Sequence, residues 1–221
     1  TGCSSKNIDK PIIAEVDSID LEVPKENLYE DDIGDNVQEE DIEPSTIKLL
    51  AAGDIMFHMP QVWAARTEEG YNFSTPFDYV KTYIEGADIS IANFETVTAG
   101  NDMEFTGFPR FNSPVETLES ISSAGFDILS TINNHSLDKN KKGIINTIDT
   151  INSNGMKNIG TYKDENRDPL IVDVKGIKIG FTSYTSHLNG LDSLLGPEES
   201  YMVNKLDENL VKRDIEFLEE A

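Results

Sequence analysis

The chain has 221 residues, of which 41 are acidic and 18 are lysine or arginine, so its formal net charge at neutral pH is −23. Nucleic-acid binding depends on clustered basic residues, so this balance argues against a nucleic-acid partner. It also disfavours direct adhesion to anionic lipid headgroups. The length suits one ordinary domain or part of a larger one.

The N-terminus carries the pattern of a bacterial lipoprotein. The chain starts Thr1-Gly2-Cys3-Ser4-Ser5, and an acidic stretch follows. We expect Cys3 to carry the lipid, in which case two or more acyl chains would make the anchor stable. The alternative is that the sequence starts at an arbitrary point and that Cys3 is an ordinary free thiol. Residues 1–45 are predicted to be this lipoprotein N-terminus and an acidic disordered tether, because low hydrophobicity with high like charge does not offset the entropy of ordering.

The predicted elements of the folded part begin near residue 46 and alternate between strands and helices. An N-cap at Ser113, followed by Pro114 and Glu116, predicts the start of one helix, and Gly125 its end. Lys175-Gly176 is typical of a tight hairpin turn. The predictions in chain order are a strand at 47–52, helices at 61–66 and 77–84, a strand at 89–92, a helix at 113–125, a strand at 128–132, a helix at 142–154, a strand at 157–159, a hairpin at 170–174 and 177–182, and a helix at 207–220. This alternation favours an α/β fold with a mostly parallel sheet covered on both faces.

Three of the predicted strands end in side chains of the kinds that bind metals. Because ligands and catalytic groups in such sheets gather beyond the carboxyl ends of the strands, we expect one shared site there. Mixed carboxylate, carboxamide and imidazole donors favour an ion of the manganese or zinc type. The clusters are Asp54 and His58 after the first strand, Asn93 and Glu95 after the second, and Asn133, Asn134 and His135 after the third.

Each of the first two clusters has an alternative interpretation. Asp54 is an anionic oxygen ligand, or else the N-cap of the next helix. His58 supplies an imidazole to the same site, or else packs in a loop against Trp63 or Tyr71. Asn93 and Glu95 alternate with Phe94 and therefore face one side. For Glu95, the alternative is an ion pair with Arg110 or Lys81.

The third cluster, Asn133-Asn134-His135, offers an oxygen ligand, a hydrogen-bond donor and a general acid or metal ligand. Its alternative is a turn with one asparagine in the left-handed region. Asp138 follows closely and is predicted to orient His135. His187 follows a later strand, where it either lines the same crevice or is an exposed loop histidine.

These motifs, in this order, resemble the capsule synthesis proteins of the CapA/PgsA type, the poly-γ-glutamate capsule family. The resemblance covers residues 46–184, and Phe94 stands where the family usually has leucine. The segments that carry it are Ala52–His58, Ala87–Ile89 with Asn93–Glu95, Phe111–Pro114, Ala124–Asp127, Asn133–Asp138 and Gly176–Phe181.

The resemblance implies a calcineurin-like metallophosphatase-type layered α/β sandwich, with two sheets between helices. It implies Asp54, Glu95 and Asn134 as metal ligands and His135 as the histidine that assists at the scissile group. In the phosphoesterases, two metals clamp the substrate oxygens and generate hydroxide. Family members continue into further histidine motifs on later strands. We therefore expect residues 46–221 to be a truncated, N-terminal part of the domain that holds its divalent ion weakly.

Three functions remain open at this point. The first is an extracytoplasmic, membrane-anchored lipoprotein of the cell surface that serves synthesis, export or anchoring of poly-γ-glutamate, with the polymer and membrane capsule-synthase subunits as partners. The second is a metal-dependent hydrolase acting on phosphoesters or on the amide bonds of the polymer. The third is a non-catalytic scaffold of a membrane synthase complex.

Overall fold

The computed structural model describes residues 46–221, so the predictions for Cys3 and the acidic tether lie outside the described residues. The strands and helices are β1 Leu49–Ile55, α1 Met59–Ala64, α2 Lys81–Glu85, β2 Ile89–Phe94, α3 Glu116–Ser123, β3 Ile128–Ser130, α4 Asn140–Ser153, β4 Lys157–Ile159, β5 Leu170–Val174, β6 Ile177–Phe181 and α5 Glu208–Glu219. Three short 3-10 helices lie at Thr75–Phe77, Asp192–Leu194 and Pro197–Met202. No helix within residues 46–221 has the length and apolarity to cross a bilayer.

A parallel sheet of four strands forms the centre of the fold, in the spatial order β1-β2-β3-β4. Each strand lies next to the strand that precedes it in the chain, and at least one helix lies in each connection. The register places Asp54 beside Asn93 and Asn93 beside Ser130, with an irregularity in β1 between Ala51 and Asp54. Because the strands are parallel, their carboxyl ends open on one edge of the sheet.

Alternate residues of the strands bury the two faces of this sheet in separate layers. Leu50, Ala92 and Leu129 pack on the side of α1, α2 and α3. Ile89 and Ile128 face the opposite way, against the β5–β6 hairpin. The aliphatic rows on both faces are the pattern expected of a parallel sheet with covered faces.

A further helical layer lies on the outer side of the hairpin. A β-carbon placed on Gly180 of β6 would lie 2.5 Å from the side chain of Leu218 in α5, so a larger residue would push the helix away. The order is helices, parallel sheet, hairpin, helix, and the predicted layered α/β sandwich is confirmed. The sheet is covered on both faces at β2 to β4, but Leu49 and Ala51 of β1 remain exposed.

The predicted strand ends were partly wrong. β1 continues to Ile55 and β2 to Phe94, so Asp54 and Asn93 lie inside strands that were predicted to end before them. β3 is shorter than predicted and ends at Ser130. The strands extend because the backbones of Asp54 and Asn93 pair with each other. Their polar side chains do not prevent this pairing, since side chains in a strand point out of the plane of the sheet.

The predicted N-cap at Ser113 was also wrong. α3 starts at Glu116 with Val115 as its N-cap. Ser113 is buried, donates its backbone N–H to Val97, and lies 2.9 Å from the Thr96 hydroxyl through its own hydroxyl oxygen. A tertiary contact therefore uses the hydroxyl that would otherwise have capped the helix.

The other helices and the hairpin lie close to their predicted positions, with one interruption. The segment 77–84 is broken between the 3-10 turn and α2, where Tyr79 and Val80 are exposed. Lys175 and Gly176 have φ values of 54° and 81°, which are the two positive angles of a type I′ hairpin turn. Asp207 caps α5 with its side chain, accepting two backbone N–H groups.

Candidate metal and proton-transfer site

Two carboxylates meet at the carboxyl edge of the sheet. Asp54 lies near the end of β1, and Glu95 follows β2 and donates its backbone N–H to the Ile55 carbonyl oxygen, 3.0 Å away. The pKa of Glu95 is raised, first because partial burial disfavours its charged form and then because the Asp54 carboxyl lies within hydrogen-bonding reach. The nearby His135 opposes this rise.

No lysine or arginine of the described chain forms an ion pair with Asp54 or Glu95. The ion pairs within residues 46–221 leave out both Asp54 and Glu95. Lys81 pairs instead with Glu85 at 3.1 Å, and the Arg110 guanidinium donates to the Asp138 carbonyl oxygen. The alternative pairing of Glu95 with Arg110 or Lys81 is therefore not formed.

A chain of side-chain amides connects Asp54 to the third cluster. Asn93 Nδ2 donates to Asp54 Oδ1 at 2.8 Å, and Asn133 Nδ2 donates to Asn93 Oδ1 at 3.1 Å and to the Phe94 carbonyl oxygen at 3.0 Å. Asn133 Oδ1 in turn accepts the backbone N–H of His135 at 2.9 Å. Both amide oxygens are therefore engaged inside the protein, which makes Asn93 and Asn133 suited to positioning Asp54 and His135.

His135 and Asp138 form a buried pair. The Asp138 carboxylate accepts from His135 Nδ1 at 2.8 Å and from the backbone N–H of Phe111 at 2.7 Å. Burial raises the pKa of Asp138, and the Phe111 N–H and the imidazole oppose that rise. Because a carboxylate can only accept, it holds the imidazole proton on Nδ1 and leaves Nε2 as the unprotonated nitrogen of the neutral ring.

Phe111 contributes to the site although the sequence assigned it no role. Its ring lies edge-on between two imidazoles, with ring centroids 5.0 Å from that of His58 and 4.8 Å from that of His135. His58 is exposed and serves as the N-cap residue of α1, so neither Asp54 as N-cap nor packing of His58 on Trp63 or Tyr71 is formed. The segment Phe111–Pro114 is one of those that resemble the family, but the sequence does not show which residues Phe111 contacts.

Asn134 and His187 lie at or beyond the margin of this arrangement. Asn134 lines a crevice of about 450 Å³ together with Asn93 and Asn133, and its Nδ2 is 3.5 Å from Asn189 Oδ1. His187 is an exposed loop residue, 3.1 Å from the hydroxyl of the adjoining Ser186. The left-handed backbone positions of non-glycine residues in the described chain are Asn140, Lys175 and Asn189. The chain turns at Asn133-Asn134, but neither asparagine has the left-handed conformation that the alternative required.

The carboxylates of Asp54 and Glu95 fit a divalent ion that is held by few protein ligands. Within residues 46–221, no three histidine, cysteine, aspartate or glutamate side chains are grouped closely enough to hold a metal. Asp54 and Glu95 supply two carboxylates that repel each other without a cation, and the pair is open to water. Carboxylate and water are the donors preferred by magnesium and manganese.

The fold and this edge of the sheet define a calcineurin-like layered α/β protein, with polar clusters after successive parallel strands. The family model described as bacterial capsule synthesis protein PGA_cap matches residues 48–220. The chain belongs to this family of capsule synthesis proteins. No curated protein sequence matches the chain.

Proposed function

We propose that this protein is a cell-surface lipoprotein of poly-γ-glutamate capsule assembly, and that its crevice is a divalent-metal site for hydrolysis of a phosphoester or a polymer amide bond. The observation that carries this proposal is the apposition of the Asp54 and Glu95 carboxyls, neither of which forms an ion pair with a lysine or arginine of the described chain. Partial burial, and after it the neighbouring Asp54 carboxyl, raises the pKa of Glu95, and a cation between the two carboxyls would favour their charged forms.

The residues around the pair support distinct roles. Asp54 and Glu95 would hold the ion, which when bound supplies a Lewis acid for a substrate oxygen or an activated water. Asn93 fixes one oxygen of Asp54 by its hydrogen bond. His135 would take or deliver a proton at Nε2, while Asp138 keeps Nδ1 protonated.

The net charge of the chain also affects how the chain would bind the polymer. A net charge of −23 repels a polyanion such as poly-γ-glutamate. A divalent ion at the crevice would reduce that repulsion locally. The proposal therefore predicts that the polymer binds better in the presence of divalent metal than in a chelator.

Isothermal titration calorimetry of Mn²⁺ into the chain tests the metal site. We expect Glu95→Gln to weaken binding by about tenfold or more, because it removes one of two charged ligands. Glu69→Gln is the matched control, since Glu69 is an exposed glutamate outside the crevice. Equal binding by the wild type and both variants would mean that Mn²⁺ follows only the general negative charge, and the proposed site would be wrong.

A scaffold without catalysis is the second candidate function. It is supported by the lack of a group of three charged or imidazole ligands within residues 46–221. Cells that produce His135→Ala in place of the wild type separate the two functions. Loss of capsular polymer at normal protein level favours catalysis, and an unchanged polymer level favours the scaffold.

A further inference from the structure

A second cavity of about 550 Å³ is lined by Asp54 but not by Asn93 or Asn133 of the amide chain. Its size falls within the range of small-molecule sites in proteins. α1 forms one wall and the segment 72–77 forms the other, while residues that follow Asp54 form the floor. The lining residues are Asp54, Ile55, Met56, Phe57, Gln61, Ala64, Ala65, Asn72, Phe73, Thr75, Pro76 and Phe77. We call this cavity the aromatic pocket.

The walls of the aromatic pocket are rigid and apolar. Phe57 and Phe73 are buried, and their rings meet edge to face with centroids 5.0 Å apart. Phe77 is held in the same way against Phe126. Three phenylalanines therefore contribute to a preformed surface, which a ligand need not order on binding.

The charge in the aromatic pocket has one sign. Asp54 is the single ionisable residue among the described lining residues, and none of them is lysine, arginine or histidine. The two amides of the lining are engaged locally, since Gln61 Oε1 accepts the His58 N–H at 2.6 Å and Asn72 Oδ1 accepts the Ser74 N–H at 2.9 Å. An anionic ligand would find no cationic side chain among these lining residues and would be repelled by Asp54.

We propose that the aromatic pocket binds a small organic cation, an amine or ammonium group carrying an apolar body. Phenylalanine faces attract cations, and a carboxylate at the end of the pocket adds a direct charge partner. The apolar body gains from burial against the phenylalanines and the alanines of α1. This inference goes beyond the metal chemistry proposed above and requires no metal.

Three probes of one size test the proposal: phenylbutylamine, phenylbutanol and phenylbutyrate. Binding is measured by calorimetry or ligand-observed NMR on the full chain in a chelating buffer. We expect the amine to bind about fivefold or more tightly than the alcohol, and the carboxylate to bind weakest. Asp54→Asn retains an oxygen for the hydrogen bond from Asn93, and it should remove the preference for the amine while the alcohol still binds.

Filling the pocket provides the second arm of the test. Ala64→Phe should abolish binding of the amine, whereas Ala51→Phe, at an exposed alanine on the uncovered face of β1, should leave it unchanged. Thr75→Phe fills the pocket from the opposite wall and replaces Ala64→Phe if that variant does not fold. The proposal is overturned if the carboxylate binds as well as the amine, if no probe binds, or if a folded filling variant binds like the wild type. Loss of Mn²⁺ binding in Glu95→Gln has no bearing on these outcomes, so the two proposals fail separately.

Discussion

At the scale of single residues, neighbouring asparagines in one motif have unequal structural roles. Asn133 is buried and makes hydrogen bonds to a side chain, to a strand carbonyl and from a backbone N–H. Asn134, the next residue, is half-buried with one long contact to Asn189. The two residues are of the same type, and only their positions in the fold give them different contacts.

Asn133→Ala should therefore destabilise the protein far more than Asn134→Ala. The first change leaves the Phe94 carbonyl and the His135 N–H without their partners, at a cost of about 1–3 kcal/mol in the free energy of unfolding. The second is expected to fall within about 0.5 kcal/mol of the wild type. Urea denaturation of both variants measures the difference. Equal losses would mean that the amide chain does not stabilise the fold.

The site residues illustrate what could be predicted from sequence. Asp54, Glu95 and His135 were identified as ionisable groups after apolar runs, because parallel strands bring such groups to one edge. The role of Phe111 could not be predicted, since its contacts with His58 and His135 join segments that are far apart in the chain. Ser113 was assigned to a helix cap for the same reason: its partner Thr96 is visible only in three dimensions.

At the scale of elements, Asp88 connects three of them at the amino edge of the sheet. Its carboxylate accepts the Lys48 N–H at 2.9 Å, before β1, and the Lys175 ammonium at 2.8 Å, in the hairpin turn. The Lys175 hydrogen bond, followed by that of Lys48, lowers the pKa of Asp88. Because the pKa of Asp88 is lower in the folded than in the unfolded protein, its carboxylate stabilises the fold above the unfolded-state pKa. This stabilisation is lost as the pH falls through the folded-state pKa.

Asp88→Asn should therefore lower the melting temperature at neutral pH, and this deficit should shrink as the pH falls below 3.8, the ordinary pKa of an aspartate. Asp168→Asn makes the same charge change at an exposed residue that forms no ion pair in the described chain, and it serves as the control. A deficit that is independent of pH would show that the carboxylate is not stabilised as described.

The helix α5 is attached to β6 through a buried carboxylate. Asp214 accepts from the Tyr184 hydroxyl, from the Thr182 hydroxyl and from the Arg213 guanidinium. Burial, and then the hydrogen bond to Asp214, raises the pKa of Tyr184 to about 12. The contact orders the helix on the outer side of the hairpin.

Asp214→Ala should lower the free energy of unfolding by about 2–3 kcal/mol, because it removes hydrogen bonds to a buried charge. Glu216→Ala, on the exposed side of the same helix, should change it little. Thermal or urea unfolding checks both. If the two variants lose equal stability, α5 is held by its apolar contacts rather than by Asp214.

At the scale of the whole molecule, the acidic charge bears on attachment to a membrane. A strongly anionic chain is not drawn to anionic lipid, so charge alone would not hold it at a membrane surface. The proposed lipid on Cys3 supplies a covalent anchor.

Cys3→Ala in the full precursor should release the protein from the membrane fraction, because the thiol proposed to carry the lipid is removed. Ser4→Ala leaves that thiol in place and should remain bound. Fractionation of cells followed by immunoblotting measures both. A Cys3→Ala protein that stays with the membrane would identify another means of attachment.

The strict succession of strands in the sheet has a consequence for synthesis on the ribosome. Each new strand of the parallel sheet can add to the one translated just before it, so the sheet can extend without waiting for distant sequence. Asp54, Glu95 and the pair of His135 and Asp138 belong to the first three strands and the turn after them. The residues of the site can therefore come together before the hairpin and α5 have left the exit tunnel.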